Sequence, residues 1–339
     1  MAKTVKLADI AEKVGVSTVT VSKALSGQKG VSEEMREKIK QLADELGYRS
    51  PSENKRQTTE KQYNIGVIIQ EVYLDKYDSF YLMMYQELNK RAVARGCFTL
   101  LESMSRESVL SNVMPLLVQE KKVDGLIVVG DMTQTYMEHL EEKAGIPVVC
   151  MDFYNDTINL DTVISNSFYG TYALTNYLFQ MGHKKIAYVG TVGTTNSITD
   201  RYLGYAKSLL EHHIEVRKDY VIGDRDTKTG RMDLDKYYQL PEDMPSAFVC
   251  NCDLAASYLI RKLRANGYRV PEDISVVGFD NYLFPGLCDI GITTYEVNIG
   301  EMARRVVHKI VRKIANENYT AGVFIVDGHM VIKDSVTRK

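Results

Sequence analysis

Thr18, Val19, Ser22 and Lys23 bring together the groups that reading DNA requires: methyls that can meet thymine, hydroxyls for phosphate, and an ammonium for guanine or phosphate. A second set stands directly after β-rich apolar runs. Asp152 follows PVVCM, Asp253 lies just past SAFVCN, and Asp280 with Asn281 follows SVVGF. In open parallel sheets ligands bind at the carboxyl ends of strands, so these are pocket candidates, although Asp and Asn also favour such turns for local reasons. Arg201 lies in GTVGTTNSITDRYLGY, a Gly/Thr/Ser-rich loop entering a helix, where its fork of donors can grip vicinal hydroxyls or a carboxylate.

The elements that must carry the first set lie between Lys6 and Leu46. Leu7, Ile10, Ala11 and Val14 recur at helical spacing, and Gly15 supplies the turn that ends a first helix. Ser17 is placed to cap a second helix, whose Val21, Ala24 and Leu25 face inward and leave Thr18, Val19, Ser22 and Lys23 outward. Ser32 caps a third helix, with Glu33 and Glu34 at its positive end. Met35, Ile39, Leu42, Ala43 and Leu46 close a small core. An ordinary helical hairpin accounts for two helices and a glycine turn. It does not account for the local charge: residues 1–30 carry Lys3, Lys6, Lys13, Lys23 and Lys29 against Asp9 and Glu12. The stretch therefore reads as a helix-turn-helix that places its second helix in the major groove.

From Tyr48 the polar, Pro-containing RSPSENKRQTTEKQ reads as a linker. Beyond Asn64, short apolar runs alternate with amphipathic helices in two tandem series, NIGVII to PVVCMD and then DTVIS to ISVVGFD. This predicts an α/β fold with parallel sheets covered by helices, arranged as two lobes with a cleft between them. One helix is expected over 106–119 and another from 79 to 95.

The chain has 339 residues and a net charge of -2, so affinity for nucleic acid has to be local. No apolar run follows Met1, and no stretch approaches a membrane span, which predicts a cytoplasmic protein. Five scattered cysteines suit reduced thiols. Cys250 and Cys252 have no second pair or nearby His to complete a zinc set, so no metal is expected. A G-x-G-x-x-G after the first strand, a Walker loop, a G-x-S-x-G elbow and a paired-His helix are all absent, and His212 and His213 are adjacent. No cofactor and no enzyme are expected.

The first stretch resembles the headpiece of the lactose-repressor (LacI/GalR) family of bacterial transcription regulators, through Leu7, Asp9, Ile10, Ala11, Gly15, Val16, Ser17, Thr20, Val21, Ser22, Lys23, Leu25, Gly27, Val31, Ser32, Arg36, Ile39, Leu46, Gly47 and Tyr48. The resemblance implies a periplasmic-binding-protein-like core over essentially the rest of the chain. It implies DNA contacts from Ser17, Thr18, Val19, Thr20, Ser22, Lys23, Ser26 and Tyr48. In the family a leucine of the hinge wedges into the minor groove. Here Gln57 takes that place, which leaves Lys55 and Arg56 to hold the groove. Asp152, Ser197, Arg201 and Asp280 fall where the family places polar effector contacts, and Phe80 and Tyr81 fall in its aromatic-bearing stretch. Two departures stand out: Cys252 replaces the usual Asn before Asp, and Arg225 replaces a frequent aromatic after GD. Arg225 has two readings, a second cation suited to an anionic effector, or a solvated side chain or one paired with Asp226.

The expected organisation is a headpiece over 1–48, a hinge over 49–62 and an effector core over 63–339. Its first lobe takes 63–161 and 292–322, and its second takes 162–291 and 323–339. The expected protein is a homodimeric repressor of carbohydrate-metabolism genes, bound to a near-palindromic operator and controlled by a small sugar-like effector in the cleft. The competing reading is a cytoplasmic solute-binding or interaction protein without specific operator binding.

Overall fold

The computed structural model describes residues 6–25, 28, 30–46, 48, 62–74, 80–155, 160–316 and 321–339. The chain divides into two units, Met1–Lys61 and Gln62–Lys339. Ser26, Lys55, Arg56 and Gln57, with the rest of the linker over 49–61, lie outside the described residues.

The first unit holds α1 (Leu7–Val14), α2 (Thr18–Leu25) and α3 (Glu33–Glu45). Ile10, Val21, Ala24 and Ile39 are fully buried between them. The carboxylate of Asp9 accepts from the Lys6 N–H at 2.6 Å and so starts α1. Gly15 ends it at φ 76°, a left-handed conformation that costs glycine nothing. The hydroxyl of Ser17 accepts from the Thr20 N–H at 3.1 Å, which starts α2. Arg36 on α3 then closes the other end of α2, donating to the carbonyls of Ala24 at 3.0 Å and Gln28 at 2.9 Å. That capping role from another helix has no local sequence signature.

The second unit contains β1 (Asn64–Gln70), α4 (Phe80–Val93), β2 (Phe98–Met104), α5 (Arg106–Leu110), α6 (Leu116–Gln119), β3 (Gly125–Val129), α7 (Gln134–Lys143), β4 (Val148–Met151) and β5 (Asp161–Ser165). It continues with α8 (Ser167–Gln180), β6 (Ile186–Val189), α9 (Asn196–Glu211), β7 (Val221–Ile222), α10 (Leu234–Tyr237), β8 (Ala247–Cys250), α11 (Asp253–Ala265) and β9 (Ser275–Val277). It ends with β10 (Thr294–Glu296), α12 (Ile299–Ile314), β11 (Val323–Val326) and β12 (His329–Val331).

A parallel sheet in the order β11-β5-β4-β3-β1-β2 forms one lobe, and a parallel sheet β7-β6-β8-β9 forms the other. β10 pairs antiparallel with β12, and isolated parallel bridges link Thr293 to Val277 and Glu296 to Asp280. The DTVIS run does not open the second series, as its position suggests. It is β5, paired parallel with β4 in the first sheet, with Val149, Cys150 and Met151 opposite Asp161, Thr162 and Val163. Residues 323–326 likewise belong to the first sheet, as β11 on the outer side of β5. The first lobe therefore gains both strands at the expense of the second. Asp161, fully buried at the start of β5, is ion-paired to Lys309 and Lys313 of α12 at 3.1 Å each, which pins that helix to the first sheet.

The helix expected over 106–119 is two short helices. Pro115 has no N–H to donate and disfavours helical geometry at Met114, and Asn112 sits at φ 52° between them. In the second lobe α8 and α9 cross closely because Gly204 has no side chain: a Cβ there would lie 2.1 Å from the Phe168 carbonyl oxygen. That crossing carries Arg201, one turn before Gly204, to its position beside Ser167. No helix among the described residues is long and apolar enough to cross a membrane.

Candidate nucleic-acid interface and effector cavity

On α2 the inward residues are Val21, Ala24 and Leu25, and the outward ones are Thr18, Val19, Ser22 and Lys23. Val19 is 60% exposed, and this apolar group is free of any packing role in the small core. The face thus offers a methyl-bearing surface flanked by hydroxyls and an ammonium, the equipment of a recognition helix. Ser17 and Thr20 are tied to each other through their hydroxyls at 2.9 Å, so both serve the start of α2. Tyr48 is half-buried against the helical core, and its N–H donates to the Ala43 carbonyl at 2.8 Å.

In the larger unit, all eight residues singled out for effector contact line one cavity of about 420 Å³ between the two sheets. The first lobe contributes Phe80, Tyr81 and Asp152, and the second contributes Ser197, Arg201, Arg225, Cys252 and Asp280. The volume suits a small ligand.

Arg201 is at the centre. Its Nε donates to Ser167 Oγ at 3.3 Å, its Nη1 to the Asn251 carbonyl at 2.5 Å, and its Nη2 is ion-paired with Asp280 Oδ1 at 3.1 Å. The guanidinium lies 3.9 Å above the centre of the Phe279 ring, so the cation is held by π-density as well. Asp152 and Asp280 both occupy the left-handed region, at φ 70° and 97°, where Asp is better tolerated than most side chains. Burial pushes the Asp152 carboxyl up to about 7, against the pull of Arg201. Burial also holds Asp280 above the usual carboxylate range, again opposed by Arg201.

Arg225 is neither solvated nor paired with Asp226. Its Nε contacts both oxygens of the fully buried Asp224 at 3.0 Å, and its Nη2 donates to Asp224 Oδ2 at 2.7 Å and to Asn251 Oδ1 at 3.1 Å. Asp226 instead closes a turn, accepting from the N–H groups of Lys228 and Thr229 and from the Tyr237 hydroxyl. Cys252 does more than line the wall: its Sγ accepts from the Ala255 N–H at 3.4 Å and caps α11. Burial pushes its thiol up to about 12, which suits a neutral wall group better than a nucleophile.

Of the strand-end candidates, Asp253 and Asn281 stay outside the lining. Asp253 accepts from the Tyr282 N–H at 3.1 Å, and Asn281 is bound to Glu296 and Lys333, so both position the loop that bears Asp280. The sequence reading passed over several wall residues. Tyr73 stacks on Tyr81 with ring centres 4.6 Å apart, and Tyr282 approaches Phe80 at 6.1 Å. The aromatic-rich YLF after GFDN was the available signal for the second. Asn251, the last residue of SAFVCN, is the joint that both arginines share.

Comparison with known proteins places these parts in one lineage. Residues 6–51 match the model for bacterial regulatory proteins of the lacI family, and residues 175–336 match the periplasmic binding protein-like domain. The HTH-type transcriptional repressor PurR of Aliivibrio salmonicida is 25% identical over 330 residues, covering 97% of this chain and 98% of its own. The probable HTH-type transcriptional repressor ExuR of Bacillus subtilis is 26% identical over 337 residues, covering 98% and 99%. Among solved structures, the transcriptional regulator CelR–cellobiose complex superposes with TM-score 0.69 at 21% identity, covering 98% of this chain and 99% of that one. The lac repressor dimer bound to operator and the anti-inducer ONPF gives 0.68 at 22%, covering 99% and 100%. The chain thus carries a helix-turn-helix domain of the lacI family of bacterial regulatory proteins, followed by a periplasmic binding protein-like domain.

Proposed function

We propose that this protein is a sequence-specific DNA-binding repressor of carbohydrate-metabolism genes, working in the cytoplasm as a homodimer and without catalytic activity. Its core takes a small sugar-like effector between the lobes. The observation that carries the effector reading is one cavity lined both by the Arg201–Asp280 pair and by the aromatic side chains of Phe80, Tyr81 and Tyr282. Hydrogen-bonding groups and aromatic rings in one cavity are what a polyhydroxylated ring requires, for its edge and its face respectively. Relatives named as repressors and a structural neighbour in complex with cellobiose support the same reading.

DNA contact falls to Thr18, Val19, Ser22 and Lys23 on the open face of α2, with Ser17, Thr20, Ser26, Tyr48, Lys55 and Arg56 as further candidates for the backbone. One small headpiece makes few contacts, so two copies reading two half-sites supply the specificity. Effector binding alters operator affinity to the extent that it favours one arrangement of the lobes over another. A gel shift with genomic fragments at low salt, with and without a panel of sugars, tests this. Retardation of discrete fragments that changes with one sugar is expected. Retention of no fragment under any condition would leave a solute-binding protein without operator binding.

A further inference from the structure

The cavity contains Arg201 and Arg225, and at first sight two cations invite an anionic effector. Their hydrogen bonds point the other way. A carboxylate or phosphate is gripped best by two parallel N–H groups from one guanidinium edge. In Arg225 the edge formed by Nε and Nη2 is taken by Asp224, and Nη2 also donates to Asn251. Only Nη1 has no partner among the described residues. In Arg201 the three nitrogens face Ser167, the Asn251 carbonyl and Asp280. Neither arginine keeps a free fork.

Charge follows the same pattern. Each of these arginines is matched by its own acid, Asp280 or Asp224. An anion in the cavity would meet Asp152 and Asp280 as well, and both line it. Arg231, the remaining arginine of the lining, stands at an exposed position, where water screens its charge. A single donor nitrogen beside carboxylate acceptors matches hydroxyl groups, which both donate and accept.

We propose that the cavity selects an uncharged polyol or sugar, and that Arg225, its fork locked by Asp224, reads one ligand hydroxyl through Nη1. Asp224 is then a specificity determinant that never touches the ligand: it cancels the charge and occupies the edge that would otherwise hold an acid. This rests on the effector-cavity reading above, and it adds the class of ligand and the residue pair that sets it.

Calorimetric titration of the full chain with D-glucose against D-glucuronate, D-galactose against D-galacturonate, cellobiose against cellobionate, and with inorganic phosphate tests the proposal. The neutral member of at least one pair should bind tenfold or more tightly than its acid, with no saturable heat from phosphate. Arg225→Ala should weaken that neutral ligand about tenfold. Asp224→Asn, which frees the fork and uncovers the charge, should move the acid-to-neutral ratio at least tenfold toward the acid. That ratio would not move if Asp224 were only structural.

A preference of the wild-type chain for any acid over its neutral partner, saturable binding of phosphate, or no binding of any neutral member overturns the proposal. If Asp224→Asn fails to fold, Arg225→Gln serves in its place. It removes the charge and the fork together, so it should leave the acid disfavoured, and a gain for the acid there also overturns the proposal. Failure of the regulator reading is seen separately, as the absence of any retarded DNA fragment.

Discussion

The carbonyl oxygen of Asn251 accepts a 2.5 Å hydrogen bond from Arg201 Nη1, while the side chain of Asn251 accepts from Arg225 and donates to Asp224 and to the Val189 carbonyl. One residue at the end of β8 therefore joins two ion pairs through different atoms. Replacing Asn251 with Ala leaves the main-chain bond to Arg201 and deletes the arm to Arg225 and Asp224. With buried partners left unsatisfied, a loss of about 2 kcal/mol is expected, measured by urea denaturation of the full chain. A change within about 0.5 kcal/mol would mean that the arm contributes nothing to the fold.

Arg201→Ala strands Asp280, whose side chain is 12% exposed, without its cation. Removing one partner of a buried pair costs about 3 kcal/mol or more. Asp280→Asn in the same chain should recover part of that loss, because the remaining group no longer carries a charge. A double-mutant cycle by denaturation measures the coupling, and simple additivity would show that the pair does not act as one.

The parts of the molecule that could be read in advance are those whose signals are local. The helices of the headpiece follow from apolar spacing, a glycine stop and serine caps, and the eight cavity residues follow from strand ends, one loop arginine and family resemblance. What escaped depended on partners distant in the chain. DTVIS looks like the start of a second series because nothing in its sequence says that it pairs with β4; the break at Pro115 is the exception, a local signal that the reading of one helix over 106–119 does not take into account. Arg225 shows the limit most clearly: Asp226 is the partner its sequence reading considers, yet Asp224, equally adjacent on its other side, turns inward with Thr191 and Asn251. Which of two adjacent acids faces the core is decided by how the strand end packs.

The headpiece offers a contrast between fold and contact. Arg36→Ala removes donors to the carbonyls of Ala24 and Gln28, which terminate α2 from another helix. It should destabilise the headpiece by about 1.5 kcal/mol and weaken DNA binding only as a consequence. Lys23→Ala lies on the open face of α2 and should lower DNA affinity by more than it lowers headpiece stability. If Lys23 contacts phosphate, the log–log salt slope should fall by about 1 per headpiece. Operator titrations at several salt concentrations, with helicity followed on heating, separate the two, and unchanged binding of Lys23→Ala across salt removes that residue from the interface.

Asp152 gives the core a pH dependence of defined sign. Burial is the largest cause of its elevated value of about 7, and Asp280 and Asp131 add to it, while Arg201 and the 3.3 Å hydrogen bond from Tyr81 oppose it. In the unfolded chain the same carboxyl titrates at about 3.9. Between those values the folded state holds a proton that the unfolded state has released, so this group's contribution to stability is full below about 4 and is lost as pH rises through about 7. Asp152→Asn cannot titrate and keeps the size of the side chain. Relative to the variant, the wild-type chain should therefore become progressively less stable from pH 4.5 to 7.5, measured as urea midpoints at half-unit steps. A wild-type-to-variant difference that stays constant across that window would place the proton elsewhere among the cavity acids.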